Sequence, residues 1–102
     1  MNPDELAGVI AGEAMGCGWL GYLAVAYIAS RNGVWFGWGE PDLMALMVAY
    51  TWHLWPDPTD GSRYLFSRQD LQLPAVQEIT RNKSPSLVVE CGNSGLSLWA
   101  FR

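Results

Sequence analysis

Residues 3–14, "PDELAGVIAGEA", set Leu6, Val9, Ile10 and Glu13 at i, i+3, i+4 and i+7, the repeat of one helix face. Asn2 stands where an N-cap belongs, Pro3 suits the first helical position, and Asp4 and Glu5 fall in the first turn. A helix is therefore predicted from about Pro3 to Ala14. After Gly16 and Gly18, "WLGYLAVAYIASRN" carries Leu20, Leu23, Ala24, Tyr27, Ile28 and Arg31 at helical spacing, with apolar residues on its other faces as well. That pattern predicts a central, mostly buried helix, ended by Asn32 and Gly33, residue types that accept the left-handed conformation. "VWFGWGEP" is apolar but broken by glycine, so its aromatics either cover the core or line a groove. "EPDLMALMVAYTWHLW" predicts a third helix starting near Pro41, and "PDPTDG" predicts a loop. "RYLFS" predicts a short strand, "LPAVQEITRN" a further short helix, and "SLVVECGNSGLSLWAF" a hairpin around Gly-Asn-Ser-Gly. The expected fold class is α+β: about three helices plus a short antiparallel β-sheet, in one domain spanning 1–102.

Composition narrows the partners. The chain has 102 residues, enough for one modest core, and 50% hydrophobic content with six Trp argues for a folded body rather than disorder. A net charge of −4 gives no general attraction to nucleic acid or anionic lipid, so neither is expected as a partner. The uncharged run from Ala14 to Ser30 is short for a bilayer span and interrupted by glycine, so no stable membrane insertion is expected. The N-terminus lacks a positive n-region, which predicts synthesis in the cytoplasm and any exit by a route other than a secretory signal. Cys17 and Cys91 could form a disulfide, be buried apolar groups or be reactive thiols; two free, buried thiols are the default reading. No His-Glu-x-x-His, Cys-x-x-Cys or phosphate loop is present, so no metal and no cofactor are expected.

Glu13 is the candidate for chemistry. By helical spacing it lies within roughly 20° of Leu6, on the core-facing side, where an ionised carboxylate needs a cation or else keeps its proton as a general acid does. A salt bridge to Arg31, or simple emergence at the helix end, also fits the spacing, which alone does not decide. Arg31 has a further reading as a cap on its own helix. Asp57, Asp60, Asp70 and Glu90 are the candidates for a second carboxylate, although Asp57 and Asp60 sit in a turn where Asx bonding is the commoner role. Trp35, Phe36 and Trp38 could stack on sugars or belong to the core cover. His53, near a helix end, is assigned no catalytic role.

"GEAMGCGWLGYLAVAYIASRN" resembles the opening motif of the SleB-like cell wall hydrolases, the spore-cortex-lytic and phage-lysin type, in which a Glu-Ala-Arg-Gly-Glu-type stretch precedes a helix ending in Asn-Arg. "DPTDGSRYLFS" is similar to that family's second signature, and "GLSLWAFR" looks like its last strand. The resemblance implies a small lysozyme-like domain that cleaves peptidoglycan glycan strands between N-acetylmuramic acid and N-acetylglucosamine, as a lytic transglycosylase acting on the cell wall after release. It implies Glu13 as the catalytic acid and Thr59, Gly61, Ser62 and Tyr64 as residues facing the substrate cleft. Met15 stands where the family has Arg, and Cys17 where a second Glu is common. A non-catalytic peptidoglycan-binding or assembly module on the same fold is the alternative, and a holin-type lysis helper a third; the oligomeric state is left open.

Overall fold

The computed structural model describes residues 1–33, 37–92 and 96–102. Helix α1 spans Pro3–Ala14, and its Asn2 cap accepts the Glu5 N–H at 2.8 Å. The chain then turns within three residues, the Cys17 N–H donating to the Ala14 carbonyl at 2.8 Å, and enters α2, Gly18–Asn32. Gly21 through Ala26, with Ile28 and Ala29, are buried, which matches a helix apolar on more than one face. Gly33 ends it at φ 71°, a left-handed position that favours glycine.

Helix α3 spans Leu43–Thr51 and continues into one tight turn over Trp52–Leu54. It starts two residues after Pro41, because the Asp42 side chain caps it by accepting the Ala45 N–H at 2.8 Å. Strand β1 (Tyr64–Ser67), the short helix α4 (Pro74–Thr80), β2 (Leu87–Glu90) and β3 (Ser97–Phe101) complete the chain. The sheet is antiparallel in the order β1-β3-β2, pairing Tyr64 with Phe101 and Leu87 with Ala100. The fold is thus α+β, with four α-helices and a three-stranded sheet among the described residues. Residues 93–95 of the expected Gly-Asn-Ser-Gly turn, and Trp35 and Phe36, lie outside the described residues.

The core joins one face of each long helix to the inner face of the sheet: Leu6 and Ile10, Leu23 and Val25, Val48, Val89 and Leu98. Gly21 makes room for the Cys17 side chain. A Cβ there would stand 2.5 Å from Cys17 Cβ, whereas Val89 and Leu98 of the sheet lie at ordinary contact distances of 3.6 and 3.7 Å, so it is Cys17 that requires glycine. Cys91, just after β2, lies over Cys17, and the two form a disulfide. The reading of two free thiols is corrected here. Both cysteines are buried, as expected, but 74 residues of sequence separation conceal their adjacency.

Candidate functional site

Helix α1 has a glycine face. Gly8 and Gly12, four residues apart, receive the segment 37–39 along the helix, with the Gly39 N–H donating to the Gly8 carbonyl at 2.9 Å. A Cβ on Gly8 would fall 1.7 Å from the Trp38 indole nitrogen, and one on Gly12 would fall 3.0 Å from the Trp38 backbone. The Trp38 ring therefore lies across α1 with its outer side in solvent, 65% exposed.

Glu13 lies at the Gly37 end of this segment. Its Oε1 sits 2.9 Å from where a Cβ on Gly37 would be, so Gly37, at φ 101°, leaves the space that the carboxylate occupies. The side chain is half-buried and has no hydrogen-bond or ion-pair partner among the described residues. The other half-buried acids are engaged. Asp57 is bonded on both oxygens, and Asp70 accepts the Ser67 N–H at 3.3 Å. Among the exposed acids, Asp4, Glu5, Asp42, Asp60 and Glu78 have partners, while Glu40 and Glu90 face water.

The salt bridge from Glu13 to Arg31 does not form, and Arg31 does not cap its own helix. Its guanidinium turns to the 57–62 loop, donating to the Thr59 hydroxyl at 2.9 Å, to the Ser62 carbonyl at 2.7 Å and to the Asp57 carboxylate. Burial pushes the Arg31 pKa down from its ordinary value, and the charge of Arg63 adds to this, opposed by Tyr27. Asp57 Oδ1 also accepts the N–H and the hydroxyl of Thr59, at 2.8 and 2.6 Å, and Oδ2 accepts the Gly61 N–H at 3.0 Å, an Asx turn closed by an arginine. Asn32 adds a bond to the Arg63 carbonyl at 3.0 Å. The Arg-Asn end of α2 and the Asp-Pro-Thr loop, separate motifs in the sequence, are one polar cluster.

Thr59 and Ser62 are fully buried, so the expectation that they face a cleft is corrected. The Thr59 hydroxyl is held by Asp57 and Arg31, and that of Ser62 by the Thr59 carbonyl at 2.6 Å and by Ser86. Gly61 is exposed at φ 78°, in the turn. Tyr64 is exposed and stacked on Phe66, with the Lys83 ammonium 5.4 Å from its ring centroid. Beside this loop lies a hollow of about 360 Å³ lined by Asp60, Lys83, Ser84, Ser86 and Arg102.

Glu13 and the loop belong to different ends of the molecule. Glu13 lies where α1 gives way to the first turn of α2; the loop is held on its last turn, and from Gly18 to Arg31 the helix rises about 20 Å. Of the four candidate second carboxylates, Asp57 and Asp60 are held in the loop and Asp70 in its own turn. Glu90, next to Cys91, is at the Glu13 end.

One polar contact near Glu13 escaped the sequence reading. The Tyr22 hydroxyl donates to Asp42 Oδ2 at 2.9 Å and lies 3.5 Å from the Met15 sulfur. Burial raises the Tyr22 pKa above its ordinary 10.0, and the hydrogen bond to Asp42 and the charge of that carboxylate raise it further, against a smaller lowering by Gly16. The signal available was an acid in N-cap position before an apolar helix, which fixes Asp42 but says nothing of Tyr22.

The class that fold and site define is a small, disulfide-closed α+β domain in which one half-buried carboxylate, Glu13, has no partner among the described residues. Comparisons with protein-family models, with curated proteins and with solved structures return no match to this chain.

Proposed function

We propose that the protein cleaves peptidoglycan glycan strands as a lytic transglycosylase, with Glu13 as its general acid and then base. One observation carries this reading: Glu13 is the half-buried acid with neither cation nor hydrogen-bond donor among the described residues, in a chain whose other half-buried acids are structurally engaged. A carboxyl group that no described arginine or lysine engages is free to meet a substrate's leaving oxygen, as a general acid must.

The mechanism needs one such group. Protonation of the glycosidic oxygen by Glu13 breaks the bond to the anomeric carbon, while the N-acetyl oxygen of the substrate stabilises the developing positive charge. Glu13, now ionised, takes the proton of the 6-hydroxyl as that oxygen closes on the anomeric carbon, giving an anhydro sugar. Trp38, broad, exposed and next in the chain to the Gly37 that Glu13 touches, offers a ring for a sugar to lie on. Gly61 and Tyr64, about 20 Å along α2, are assigned contacts with a distant part of the strand, a role that only a polymeric substrate allows. Thr59 and Ser62 shape their loop. The resemblance to SleB-like hydrolases agrees with this assignment. So does the disulfide, which suits action in an oxidising space such as the cell wall after release. It also accounts for Cys17 at a position where that family commonly has Glu.

The test is digestion of purified peptidoglycan by the wild type and by Glu13→Gln, with mass spectrometry of the soluble fragments. Anhydro-muropeptides from the wild type, reduced by roughly 10²–10⁴-fold in the variant, are expected. Hydrated reducing ends would instead call for a second carboxylate, Glu90 first. Wall binding without fragments from either protein would overturn catalysis in favour of a binding module.

A further inference from the structure

Helix α3 has its core on one side and an exposed apolar face on the other, which no described residue covers. Ala45, Val48 and Ala49 are buried against the core, and at 100° per residue Leu43, Met47 and Tyr50 fall on the opposite side, within roughly 60° of one another. Leu54, in the following tight turn, continues the stripe. Leu43 is 73% exposed, Met47 51%, Tyr50 53% and Leu54 69%, flanked by Met44 and Trp55. No Asp, Glu, Lys or Arg occurs between Asp42 and Asp57. The Tyr50 hydroxyl is tied to Asp4 of α1 at 2.8 Å, which fixes the ring at the edge of the stripe.

We infer that this face is a dimer interface, occupied by the α3 of a second copy packed antiparallel across a twofold axis between Met47 and Tyr50. Area supports it. Counting a fully exposed residue of this size at roughly 200–250 Å², the six side chains leave on the order of 700 Å² in water, close to the roughly 800 Å² per partner of a standard interface. Composition does too: Met, Tyr and Trp with no charge is the make-up of an interface core, and an uncharged helix face can meet its own copy without repulsion. A twofold axis at the middle of the stripe, between positions 48 and 49, sets Met47 against Tyr50 of the second copy and Leu43 against its Leu54, so each long side chain of the stripe meets another. A membrane surface fits less well. Helices that lie on anionic lipid carry Lys or Arg beside the apolar face, whereas residues 32–62 contain neither, on a chain of net charge −4.

Sedimentation equilibrium of the wild type, Met47→Glu and Leu73→Glu tests this, with circular dichroism to verify each fold and flotation with vesicles of mixed zwitterionic and anionic lipid alongside. Both variants replace side chains about half exposed, so neither disturbs the core, and Leu73 lies outside the stripe. The expected result is a wild-type dimer at micromolar concentration, unchanged in Leu73→Glu and weakened about 30-fold or more in Met47→Glu, the effect of a charge at an interface hot spot. A wild type that stays monomeric to about 100 μM, whether or not it floats with vesicles, overturns the proposal. Equal dimerisation of Met47→Glu does so as well.

Discussion

Opening the Cys17–Cys91 disulfide is expected to remove a large part of the stability of this protein. The bond closes a loop across a sequence separation of 74 residues, from the first turn of α2 to the end of β2. For a loop of that size the chain-entropy relation gives about 4.5 kcal/mol of stabilisation, by restricting the unfolded chain. A domain of about 100 residues has only about 5–15 kcal/mol in total. At about 4–8 °C per kcal/mol, the melting temperature is expected to fall by roughly 18–36 °C.

The sulfurs are buried, so reductant must act in denaturant and be kept through refolding; otherwise the folded protein protects its own bond. Reduction is also a cleaner perturbation than Cys→Ser, which would bury two hydroxyl groups as well. The assay is thermal unfolding by circular dichroism of the oxidised and reduced forms, with thiol titration in denaturant confirming no free thiol in the first and two in the second. A reduced form that melts within about 3 °C of the oxidised one would show that the entropic argument, or the bond itself, is wrong.

Two further perturbations read the polar clusters. Arg31→Ala leaves the Asp57 carboxylate and the Ser62 carbonyl without their guanidinium, and is expected to cost about 2–3 kcal/mol in urea unfolding, less than a fully buried pair because both side chains keep some exposure. Arg31→Lys should recover only part of it, since one ammonium cannot serve three acceptors in a fork; a loss under about 0.5 kcal/mol in the alanine variant would refute the clamp. For Tyr22 the folded pKa lies above the unfolded value of about 10, so its contribution is complete below pH 10 and is lost as pH rises through the folded value. Tyr22→Phe should therefore flatten the fall in stability as pH rises above about 10, measured by urea unfolding, while costing about 1 kcal/mol near neutrality for the lost bond to Asp42.

Local signals in the sequence located most of the elements. Asn2, Pro3 and the i, i+3, i+4 repeat bound α1, Gly33 ends α2, and alternating β-formers mark the last two strands, because each depends on neighbours a few residues away. What the sequence concealed depends on residues far apart. Arg31 gave no sign of its destination, since Asp57 is 26 residues on, and Thr59 and Ser62 look like solvent-facing turn residues until the loop folds around them. Helical spacing put Glu13 among core positions, and the chain ends α1 one residue later, which leaves the side chain half-buried. The outer face of α3 was illegible for another reason. When a helix is apolar all round, periodicity cannot tell which side meets the core.

The isolation of Glu13 follows from how the charges are distributed. The chain has six Lys and Arg, and five of them, Arg63, Arg68, Arg81, Lys83 and Arg102, lie in the last forty residues with the sheet and α4. Arg31 is the one cation on the three long helices, and it extends from the last turn of α2 to a loop that orders itself around it. At the other end of α2, four residues beyond Glu13, the chain uses Cys17 to hold the sheet in place of any charged contact. The two ends of the helix are therefore fastened by different means, an ion cluster and a covalent bond. A cation near Glu13 would have given that end an electrostatic anchor and quenched the carboxylate in the same contact. A disulfide anchors the turn and leaves the acid free, so the reduced protein should lose stability and the geometry around Glu13 together, while Arg31→Ala should lower stability and leave the surroundings of Glu13 intact.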